Sequence, residues 1–384
     1  MANTLGVYNP IFYAQEALIH LENSLGLASR VHRGYDAERR SFGLGETMNI
    51  RKPSTFTTQA AGSSALDVTT ETKSVTLDQW REVKFKLTDK ELAFSGERII
   101  SDHIRPAAYA LANELDTKLS ALYYYFPHVS DVTTAATSDI TSARKIMRDN
   151  GVPLDPNNVH LMCSPKLEQG FLDLTAFSMQ QGAGDKGVST QMTGTLGTKY
   201  GFEVFGNQNA TTHTPGVPST TSGLAVNGAV AKGATSMIID KGTVTGTLKA
   251  GDIVTVTTGS VDYNYSVTDT TATFATNAVT VNISPPARIA HADNDVVGLD
   301  AEGTKLTQSL AFHRNSMALV TAPLSEMGNE LGAKIATVTD PITGLSLRSR
   351  LYYVGDSSEV HVALDLLYGV AVLDPDMGVR LRQA

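Results

Sequence analysis

The chain has little cysteine, no surplus of positive charge and no long apolar run. Cys163 is the only cysteine among 384 residues, so neither an internal disulfide nor a cluster of thiolate metal ligands can form. Lys and Arg number 31 against 39 Asp and Glu, and the formal net charge is −8. Phosphate binding needs a concentrated surplus of Lys and Arg, so the composition argues against a dedicated nucleic-acid binder. The lone cysteine favours assembly in a reducing cytoplasm.

The first ten residues, MANTLGVYNP, contain neither a basic segment nor a long apolar one, so we expect no secretory signal. No apolar stretch approaches the length that spans a bilayer. Hydrophobic residues make up 41% of the chain and charged residues 18%, as in ordinary soluble globular proteins. A chain of this length is expected to form two or more lobes.

Motifs that would carry catalysis or cofactor binding are incomplete. The glycines at Gly182 and Gly187 have the spacing of a phosphate-binding loop, and Ser189 occupies its Ser/Thr position, but Val188 stands where such a loop has its essential Lys. No serine is flanked by glycines in the pattern of a nucleophile elbow, and the histidines lie singly. Cys163 ends an apolar run, which indicates a small buried side chain rather than a reactive thiolate. We therefore expect no metal and no cofactor.

The segment from Asn9 to Gly26 predicts an amphipathic helix, with Asn9 as cap and Pro10 at the first helical position. Its apolar stripe comprises Ile11, Ala14, Leu18, Leu21 and Leu25.

A charge run follows this helix and mixes both signs. It contains Arg30, Arg33, Asp36, Glu38, Arg39 and Arg40. A solvated or internally paired run is one interpretation. A salt-bridge patch between subunits is the other.

Residues from Thr47 to Leu87 predict a long extended hairpin, in which two strand-like runs flank a Ser/Thr/Ala-rich stretch. The second run alternates apolar Val83, Phe85 and Leu87 with charged residues, which is the period of a half-buried strand. A two-stranded ribbon is marginal in water, so another surface must cover it.

Helical patterns dominate the next part of the chain. Thr88 and Glu91 form a capping-box signature, so one helix should begin near Asp89. A longer helix is predicted over 102–125, with Pro106 in its first turn. Its apolar stripe comprises Ile104, Ala108, Leu111, Leu115, Leu119 and Leu122.

An α/β-like stretch comes after this helix. We predict a helix from Ser138 to Asn150, a strand over 158–164 and a helix capped by Ser164. The glycine-rich residues 180–201 predict a mobile loop.

Composition changes after Glu203, because no glutamate occurs again before Glu302. Short runs rich in Thr and Val, joined by Gly and Asp, predict an inserted all-β sandwich or barrel over 219–298. Its expected inward positions are Ile238, Val254, Val256, Val267, Val279, Val281 and Ile283.

The stretch SLAFHRNSMALVTAPL, residues 309–324, carries a polar triplet inside an apolar run. On a single strand His313 and Asn315 would face one way and Arg314 the other, so the three could not converge on one reacting atom. We interpret the triplet as structural and expect Arg314 to pair with a carboxylate, either within the fold or across a contact. Two closing strands follow, with Arg348 and Arg350 on the polar side of the first.

Four stretches together resemble the major capsid proteins of tailed bacteriophages, in particular the podovirus coat-protein branch. They are TLDQWREVKFKLTDKEL, RPAAYALANELDTKLSALYYY, SLAFHRNSMALVTAPL and LLYGVAVLDPDMGVRL. This resemblance implies an α+β class, the Hong Kong phage-type (Johnson) capsid fold with an inserted all-β domain.

Carried onto this sequence, the resemblance implies five segments. Residues 1–45 would be an N-terminal arm and 46–87 an extended loop. Residues 88–218 would form the first part of the peripheral and axial domains, including a long spine helix. Residues 219–298 would be the inserted domain, and 299–384 the closing strands of the axial and peripheral domains.

The resemblance also implies a function. The subunit would assemble with many copies of itself into hexamers and pentamers of an icosahedral shell around double-stranded DNA, in a virion built in the bacterial cytoplasm. Scaffolding, portal and decoration proteins are the further partners implied, with weak, non-specific DNA contact and no membrane. Candidate subunit-interface residues are Arg30, Arg33, Arg39, Arg40, Glu71, Lys73 and Trp80.

Two alternatives stay open at this point. An encapsulin-like compartment shell would have the same fold but would enclose cargo protein. An α/β enzyme with a β accessory domain would need a convergent polar pocket. Lys73 is also a conceivable isopeptide donor for a crosslink between subunits, although a solvated lysine is the simpler interpretation.

Overall fold

The computed structural model describes residues 10–33, 47–51, 58, 60–61, 72–155, 157–179, 185–300, 306–326, 333–339 and 345–383. The chain divides into two compact units, each built from separate segments. Unit 1 comprises Met1–Leu25, His32–Leu115 and Met317–Leu373. Unit 2 comprises Gly26–Val31, Asp116–Ser316 and Asp374–Ala384.

Helices and strands are mixed along the described chain. Up to the glycine-rich region they are α1 (Pro10–Ser24), β1 (Thr47–Arg51), β2 (Thr72–Thr76), β3 (Gln79–Thr88), α2 (Asp89–Ser120), a 3-10 turn (Ala121–Tyr125), β4 (His128–Val132), α3 (Thr137–Asp149), β5 (Val159–Cys163), α4 (Pro165–Leu172), α5 (Thr175–Ser178) and α6 (Asp185–Thr193).

Strands make up almost all of the remainder. They are β6 (Gly197–Lys199), β7 (Phe202–Gly206), β8 (Thr212–His213), β9 (Leu224–Val226), β10 (Ser236–Asp240), β11 (Thr247–Leu248), β12 (Ile253–Thr258), β13 (Val261–Val267), β14 (Ala272–Thr273), β15 (Ala278–Ser284), β16 (Val296–Asp300), β17 (Leu306–His313), β18 (Met317–Ala322), β19 (Lys334–Thr339), β20 (Ser346–Val354), β21 (Glu359–Val372) and β22 (Gly378–Gln383). Short 3-10 turns cover Arg314–Ser316 and Pro375–Met377.

Unit 1 is built on an antiparallel five-stranded sheet. Its path is β18-β21-β20-β19. Strands β18 and β20 pair with successive parts of one edge of the long strand β21, and β3 pairs with its opposite edge. Helix α1 packs against β19 and β20. Its predicted stripe is buried from Ala14 to Leu25, but Ile11 is about half exposed, so the stripe begins one turn later than expected.

The hairpin expected over 47–87 is assembled differently from the prediction. β1 pairs with β2, and the alternating run of β3 lies in the five-stranded sheet instead. The long strand β21 offers β3 ten consecutive partners, among them Val362 opposite Phe85 and Leu364 opposite Val83. Cross-strand apolar pairs of this kind stabilise β3 within the sheet, whereas an isolated two-stranded ribbon is only marginally stable in water.

The two helices predicted after residue 88 are one. α2 begins at Asp89, as predicted, and runs without interruption to Ser120, so Pro106 lies in its interior. An interior proline removes one intrahelical hydrogen bond and costs about 3 kcal/mol. The stripe from Ile104 to Leu119 is buried, and tertiary packing of such a stripe supplies most of the stability of a helix in a protein.

Unit 2 contains a mixed seven-stranded sheet. Its path is β4-β22-β17-β5-β7-β6, with β8 paired to β17. Helices α3 and α4 pack with the apolar face of this sheet, and both begin within a residue of their predicted positions. The Ser164 hydroxyl accepts a hydrogen bond from the Leu167 amide at 3.2 Å, which is the predicted cap. The glycine-rich region differs from the prediction because Asp185–Thr193 is a helix rather than a loop.

The inserted β structure is a closed six-stranded barrel in unit 2. Its strand order is β10-β15-β13-β12-β16-β9, and β16 ends at Asp300, two residues beyond the predicted boundary. The predicted inward residues are buried except Ile238, which is 40% exposed. Met237 and Ile239 point inward in its place. A strand with three consecutive apolar residues does not reveal its register by pattern alone.

The polar triplet is not part of a single strand. β17 ends at His313, a 3-10 turn covers Arg314–Ser316, and β18 begins in unit 1. The turn is held by the Arg314 amide, which donates to the Asn158 carbonyl at 2.8 Å. The Arg314 side chain is exposed and makes no ion pair with another described residue, so a carboxylate partner across a contact with another copy stays a prediction. No helix among the described residues is long and apolar enough to cross a membrane.

Candidate assembly surface

The five-stranded sheet of unit 1 carries a cluster of four charges on one face. Glu82, Asp365 and Arg348 are directly opposite one another on β3, β21 and β20. Asp365 is fully buried. Its Oδ2 atom forms ion pairs with Arg348 Nη2 at 2.5 Å and with Arg350 Nε at 2.9 Å. Arg350 Nη2 also contacts Glu82 Oε2 at 2.5 Å. The cluster is neutral in sum, which is the condition for burying a carboxylate.

Arg348 was predicted to share the polar side of its strand with Arg350, and the structure shows Arg348 buried beside Asp365. Both arginines do share a face, since both contact Asp365. The burial of Arg348 was not predicted, because alternation identifies which residues share a face but not which face is solvated. The buried carboxylate, Asp365, lies 17 residues further along the chain, on the next strand. The sequence showed two arginines two residues apart on a predicted strand, which indicates a shared face. It did not indicate which carboxylate they would contact.

Trp80 lies at the end of this cluster and is 57% exposed. It is two residues before Glu82 on β3, so both side chains are on the same face. The Arg348 guanidinium carbon is 6.0 Å from the centre of the indole ring. A large exposed aromatic next to a buried, paired arginine has the composition of an interface hot spot.

The other end of the same face is also charged and ordered. Lys86 Nζ contacts Glu359 Oε1 at 2.7 Å, and the Lys84 ammonium is 5.2 Å from the Tyr352 ring centre. Hydrogen bonds from Lys86, then from Ser357 and His361, lower the pKa of Glu359 to about 2. Glu359 is therefore ionised throughout the physiological range.

The opposite face of β3 forms a shallow apolar groove with α2. The groove encloses about 300 Å³ and is lined by Val83, Phe85, Lys86, Leu87, His103, Pro106, Ala107 and Ala110. Its walls hold no convergent set of acids, bases and nucleophiles. It has the character of a packing surface rather than of an active site.

The β1–β2 hairpin is attached to unit 1 by a small apolar cluster. Ile50, Val75 and Leu77 pack with Ala318, Val320 and Ala322. The attachment is close: a Cβ added at Gly369 would lie 2.2 Å from the Thr76 carbonyl oxygen. Lys73 is exposed on β2, opposite Ile50. Only a residue without a side chain allows the hairpin to approach β21 at this point.

Arg30 is engaged inside unit 2. Its Nη2 contacts Glu203 Oε1 at 2.7 Å, its Nη1 donates to the Gly26 carbonyl at 2.8 Å, and its guanidinium carbon lies 4.1 Å from the Phe205 ring centre. Arg33 is half-buried. The remaining predicted interface residues, Arg39, Arg40 and Glu71, lie outside the described residues.

The segment that carries Arg30 is held by a second carboxylate. Asp116 is buried and accepts the amides of Gly26 at 2.9 Å, Leu27 at 3.1 Å and Ala28 at 2.9 Å. Charge-assisted bonds of this kind are about twice as strong as neutral ones. Residues 26–31 are therefore fixed to unit 2 by both backbone and side chain.

Cys163 and His160, two described residues that could perform chemistry, are buried or already paired. Burial raises the pKa of the Cys163 thiol, and the thiol lies in an apolar core. His160 Nδ1 is bonded to Glu203 Oε2 at 2.8 Å, and burial lowers the pKa of His160 although Glu203 raises it. No three His, Cys, Asp or Glu side chains within the described ranges are arranged to bind a metal ion.

Tyr123, His213 and Asp252 form the arrangement most similar to a catalytic triad. Tyr123 Oη is 2.9 Å from His213 Nδ1, and His213 Nε2 is 2.9 Å from Asp252 Oδ1. All three side chains are buried, and Asp252 Oδ2 also accepts the amides of Gly216 at 3.0 Å and Lys249 at 2.8 Å. This arrangement supports the barrel structurally, since a substrate has no access to it.

Fold and surface together describe a mixed α+β chain without a convergent reactive pocket in its described part. No protein-family model matches it, and no curated protein is significantly similar in sequence. Among solved structures, a chain from Mycobacterium phage Che8 is similar with a TM-score of 0.52 at 13% identity, covering 93% of this chain and 90% of that one. This likeness confirms the mixed α+β, capsid-type fold class expected from the resemblance to phage capsid proteins.

Two further solved structures are similar at lower scores. The capsid structure of the cyanophage P-SCSP1u has a TM-score of 0.48 at 11% identity, covering 89% of this chain and 84% of that one. The asymmetric unit of the bacteriophage PhiM1 mature capsid has a TM-score of 0.45 at 12% identity, covering 88% and 82%.

Proposed function

We propose that this protein is the major capsid protein of a tailed bacteriophage, and that it assembles into an icosahedral shell of hexamers and pentamers around double-stranded DNA. The observation that carries the proposal is the fold shared with the Che8 phage chain over 93% of the sequence. The role is structural, and copies of the same chain are its main partners. Scaffolding, portal and decoration proteins are the further partners, with assembly in the host cytoplasm.

The segments of the chain take the following roles in this proposal. Residues 1–45 are the arm, 46–87 the extended loop, and α2 the spine helix of the peripheral domain. The seven-stranded sheet and α6 belong to the axial domain, and the barrel is the inserted domain. The attachment of the β1–β2 hairpin through a small apolar cluster supports this division, because such a hairpin needs a further surface to be stable.

The charged face of unit 1 is suited to repeated contacts between copies. Trp80 supplies an exposed apolar anchor, and the ordered ion pairs around it present fixed charges of both signs. Interfaces of permanent assemblies bury about 2,000 Å² or more, so each copy can contribute several modest contacts of this kind. We place Trp80, Lys73 and Arg33 in such contacts, together with Arg39, Arg40 and Glu71. Arg30, already bonded to Glu203, contributes through the segment that it fixes.

Electron microscopy of the purified protein tests the proposal directly. Closed shells of uniform diameter are expected, whereas a monodisperse monomer under all assembly conditions would contradict it. Particles from infected cells should contain double-stranded DNA. Particles that contain a cargo protein and no DNA would identify an encapsulin-like compartment instead.

A pair of glycine variants tests the part played by the hairpin. Gly369→Ala places a methyl group 2.2 Å from the Thr76 carbonyl, so the hairpin must move while the rest of the sheet can remain paired. We expect this variant to fold and to lose shell formation. Gly355→Ala is the matched control, because no atom lies within 4 Å of the added Cβ. Normal shells from Gly369→Ala would remove the hairpin from the assembly.

Trp80 provides a spectroscopic measure of the same event. It is the only tryptophan in the chain and is 57% exposed. If its face contacts another copy, its fluorescence emission should shift to shorter wavelength when shells form. An unchanged emission maximum in shells confirmed by microscopy would show that Trp80 is outside the contacts.

A further inference from the structure

The loop between β15 and β16, residues 285–295, is folded against the barrel rather than extended from it. Its backbone amides donate to three carbonyls of the 226–234 segment: Ala287 to Ala234 at 2.8 Å, His291 to Val230 at 2.9 Å and Asn294 to Val226 at 2.9 Å. Ala287 and His291 are almost fully buried. This closing loop, residues 285–295, therefore packs against the barrel and places Ala287 and His291 in its interior.

A chain of hydrogen bonds inside the barrel passes through the His291 ring. Tyr265 Oη is 2.8 Å from His291 Nε2, and Thr258 Oγ1 is 2.8 Å from His291 Nδ1. Thr258 Oγ1 is also 2.5 Å from Asp295 Oδ2. Tyr265, His291, Thr258 and Asp295 therefore form one continuous series of side-chain hydrogen bonds.

The direction of these bonds is fixed by the carboxylate at one end. Asp295 can only accept, so the Thr258 hydroxyl donates to it and must accept from His291 Nδ1–H. The Nε2 atom is then the hydrogen-bond acceptor of the neutral ring, and the Tyr265 hydroxyl donates a hydrogen bond to it. Tyr265 Oη accepts in turn from the Arg288 amide at 3.1 Å. The chain is complete only when His291 is neutral with its proton on Nδ1.

Protonation of His291 would break this chain at a defined point. A proton on Nε2 would face the Tyr265 hydroxyl, which would lose its acceptor inside the barrel. A buried donor without an acceptor costs about 1–3 kcal/mol. Burial lowers the pKa of His291 below its ordinary value, and nearby Asp295 raises it in part.

Few charged groups face the ring besides these. Tyr263 and Tyr265 present their ring edges from β13, at 5.8 and 5.6 Å between ring centres. Asp295 Oδ2 is 3.9 Å from Nδ1, and the 226–234 segment contributes the Val230 backbone. Asp295 also accepts the Ala292 amide at 2.9 Å, so its carboxylate is held in place within the loop.

The same loop binds the barrel to the rest of unit 2. The Arg288 backbone amide belongs to the His291 chain, while its side chain reaches Asp376 Oδ1 through Nη2 at 2.5 Å. Asp376 lies in the turn before β22, and His128 Nε2 is 3.3 Å from the same oxygen. One residue therefore joins the interior of the barrel to the seven-stranded sheet.

We propose that the closing loop is an acid-sensitive latch, held shut by neutral His291, and that its opening loosens the attachment of the barrel through Arg288. The inserted barrel then has two states, one fixed on the sheet and one loosely tethered. The sign follows from the lowered pKa of His291. The contribution of the loop is complete above the ordinary histidine pKa of about 6.5 and is lost as the pH falls towards the lower value.

Hydrogen exchange of the full-length protein, followed by mass spectrometry at pH 7.5 and at pH 5.5, tests the latch. After correction for intrinsic exchange rates, protection of peptides covering 285–295 should fall by up to about tenfold per pH unit below 6.5. Peptides from β12 and β13 should keep their protection. Equal protection of the loop at both pH values would overturn the proposal without any variant.

Three variants distinguish the role of His291 in the latch from the coupling through Arg288. His291→Gln keeps a neutral donor and acceptor, so loop protection should no longer depend on pH. His103→Gln removes an exposed histidine of α2 and should behave as the wild type. Asp376→Asn should lower loop protection at both pH values, because Arg288 loses its charged partner. A wild-type pH response in His291→Gln, or unchanged protection in Asp376→Asn, would overturn the latch or its coupling respectively.

Discussion

The barrel of unit 2 and the five-stranded sheet of unit 1 are both antiparallel, yet the chain builds them in opposite ways. All six barrel strands come from one stretch, between Leu224 and Asp300. The sheet takes β3 from residues 79–88 and its other strands from 317–372. Nineteen buried residues form one apolar cluster inside the barrel. The sheet contains a buried ion-pair cluster, and an exposed tryptophan lies beside it.

This difference shows what a sequence pattern can reveal. The barrel closes its core with neighbours in sequence, so composition and turn residues indicate both its existence and its limits. The sheet depends on a pairing across about 280 residues, between β3 and β21. Loop closure over such a distance leaves no trace in local periodicity. Independent folding should therefore separate the two regions most clearly.

The largest expected effect is on folding in isolation. Residues 219–300 expressed alone should fold, because the barrel retains all six strands and its apolar cluster. Residues 79–120 expressed alone should not form a stable structure, since β3 loses every partner on β21. Circular dichroism and amide NMR dispersion measure both. A random-coil spectrum for the barrel segment would mean that this region needs the rest of the chain.

Removal of the buried carboxylate should have the next largest effect. Asp365→Ala leaves two arginines at a buried site without their shared partner, and should cost about 3–5 kcal/mol in the free energy of unfolding. Glu82→Ala is the matched control, because Glu82 contacts the same Arg350 from an exposed position and should cost about 1 kcal/mol or less. Equal effects in urea denaturation would show that burial does not govern this cluster.

Truncation of the apolar stripe of α2 should have a similar or smaller effect. Leu115 is fully buried, so Leu115→Ala should cost about 2–5 kcal/mol through lost burial and a residual cavity. Arg105→Ala on the same helix is exposed and should change stability by about 0.5 kcal/mol or less. An unchanged denaturation midpoint for Leu115→Ala would contradict its place in the core.

The smallest expected effect concerns an exposed ion pair in unit 2. Hydrogen bonding to Arg30 lowers the pKa of Glu203, with further contributions from the charges of Arg30 and His160. A lowered carboxylate pKa stabilises the fold above the ordinary value of about 4.3, and this contribution is lost as the pH falls through the lowered pKa. Because Glu203 is 41% exposed, its loss in Glu203→Gln should cost about 1 kcal/mol or less at pH 7. The difference between wild type and variant should disappear in denaturation at acidic pH.

Helix positions were the best-predicted features. The starts of α1, α2 and α4 agree with their capping signals, since caps are local and involve residues within one turn. Helix α3 begins at Thr137, one residue before its predicted start. The continuity of α2 through Pro106 was not predicted. An interior proline is tolerated only when tertiary packing compensates for the lost hydrogen bond, and the local sequence does not show that packing. The turn at Arg314–Ser316 was missed for a related reason: it is held by Asn158, which is far away in sequence.

The candidate surface was predicted less completely than the fold. Trp80 and Lys73 were singled out from the sequence, and the structure shows both exposed. Arg30 was singled out too, but its partners Glu203 and Phe205 belong to a distant strand. The ion-pair cluster around Asp365 was not predicted, because its charges come from three strands that only the folded sheet brings together.

The sequence by itself indicated the starts of α1, α2 and α4, an all-β region over 219–298 and the absence of an internal disulfide. Each of these depends on residues close together in the chain, or on composition, and local free energies of capping, turns and alternation are sufficient to indicate them. Tertiary structure alone decided the pairing of β3 with β21, the burial of Arg348 with Asp365 and the hydrogen-bond chain through His291. In each case the stabilising partner is distant in sequence or its orientation depends on packing, so the free energy that selects it exists only in the folded protein.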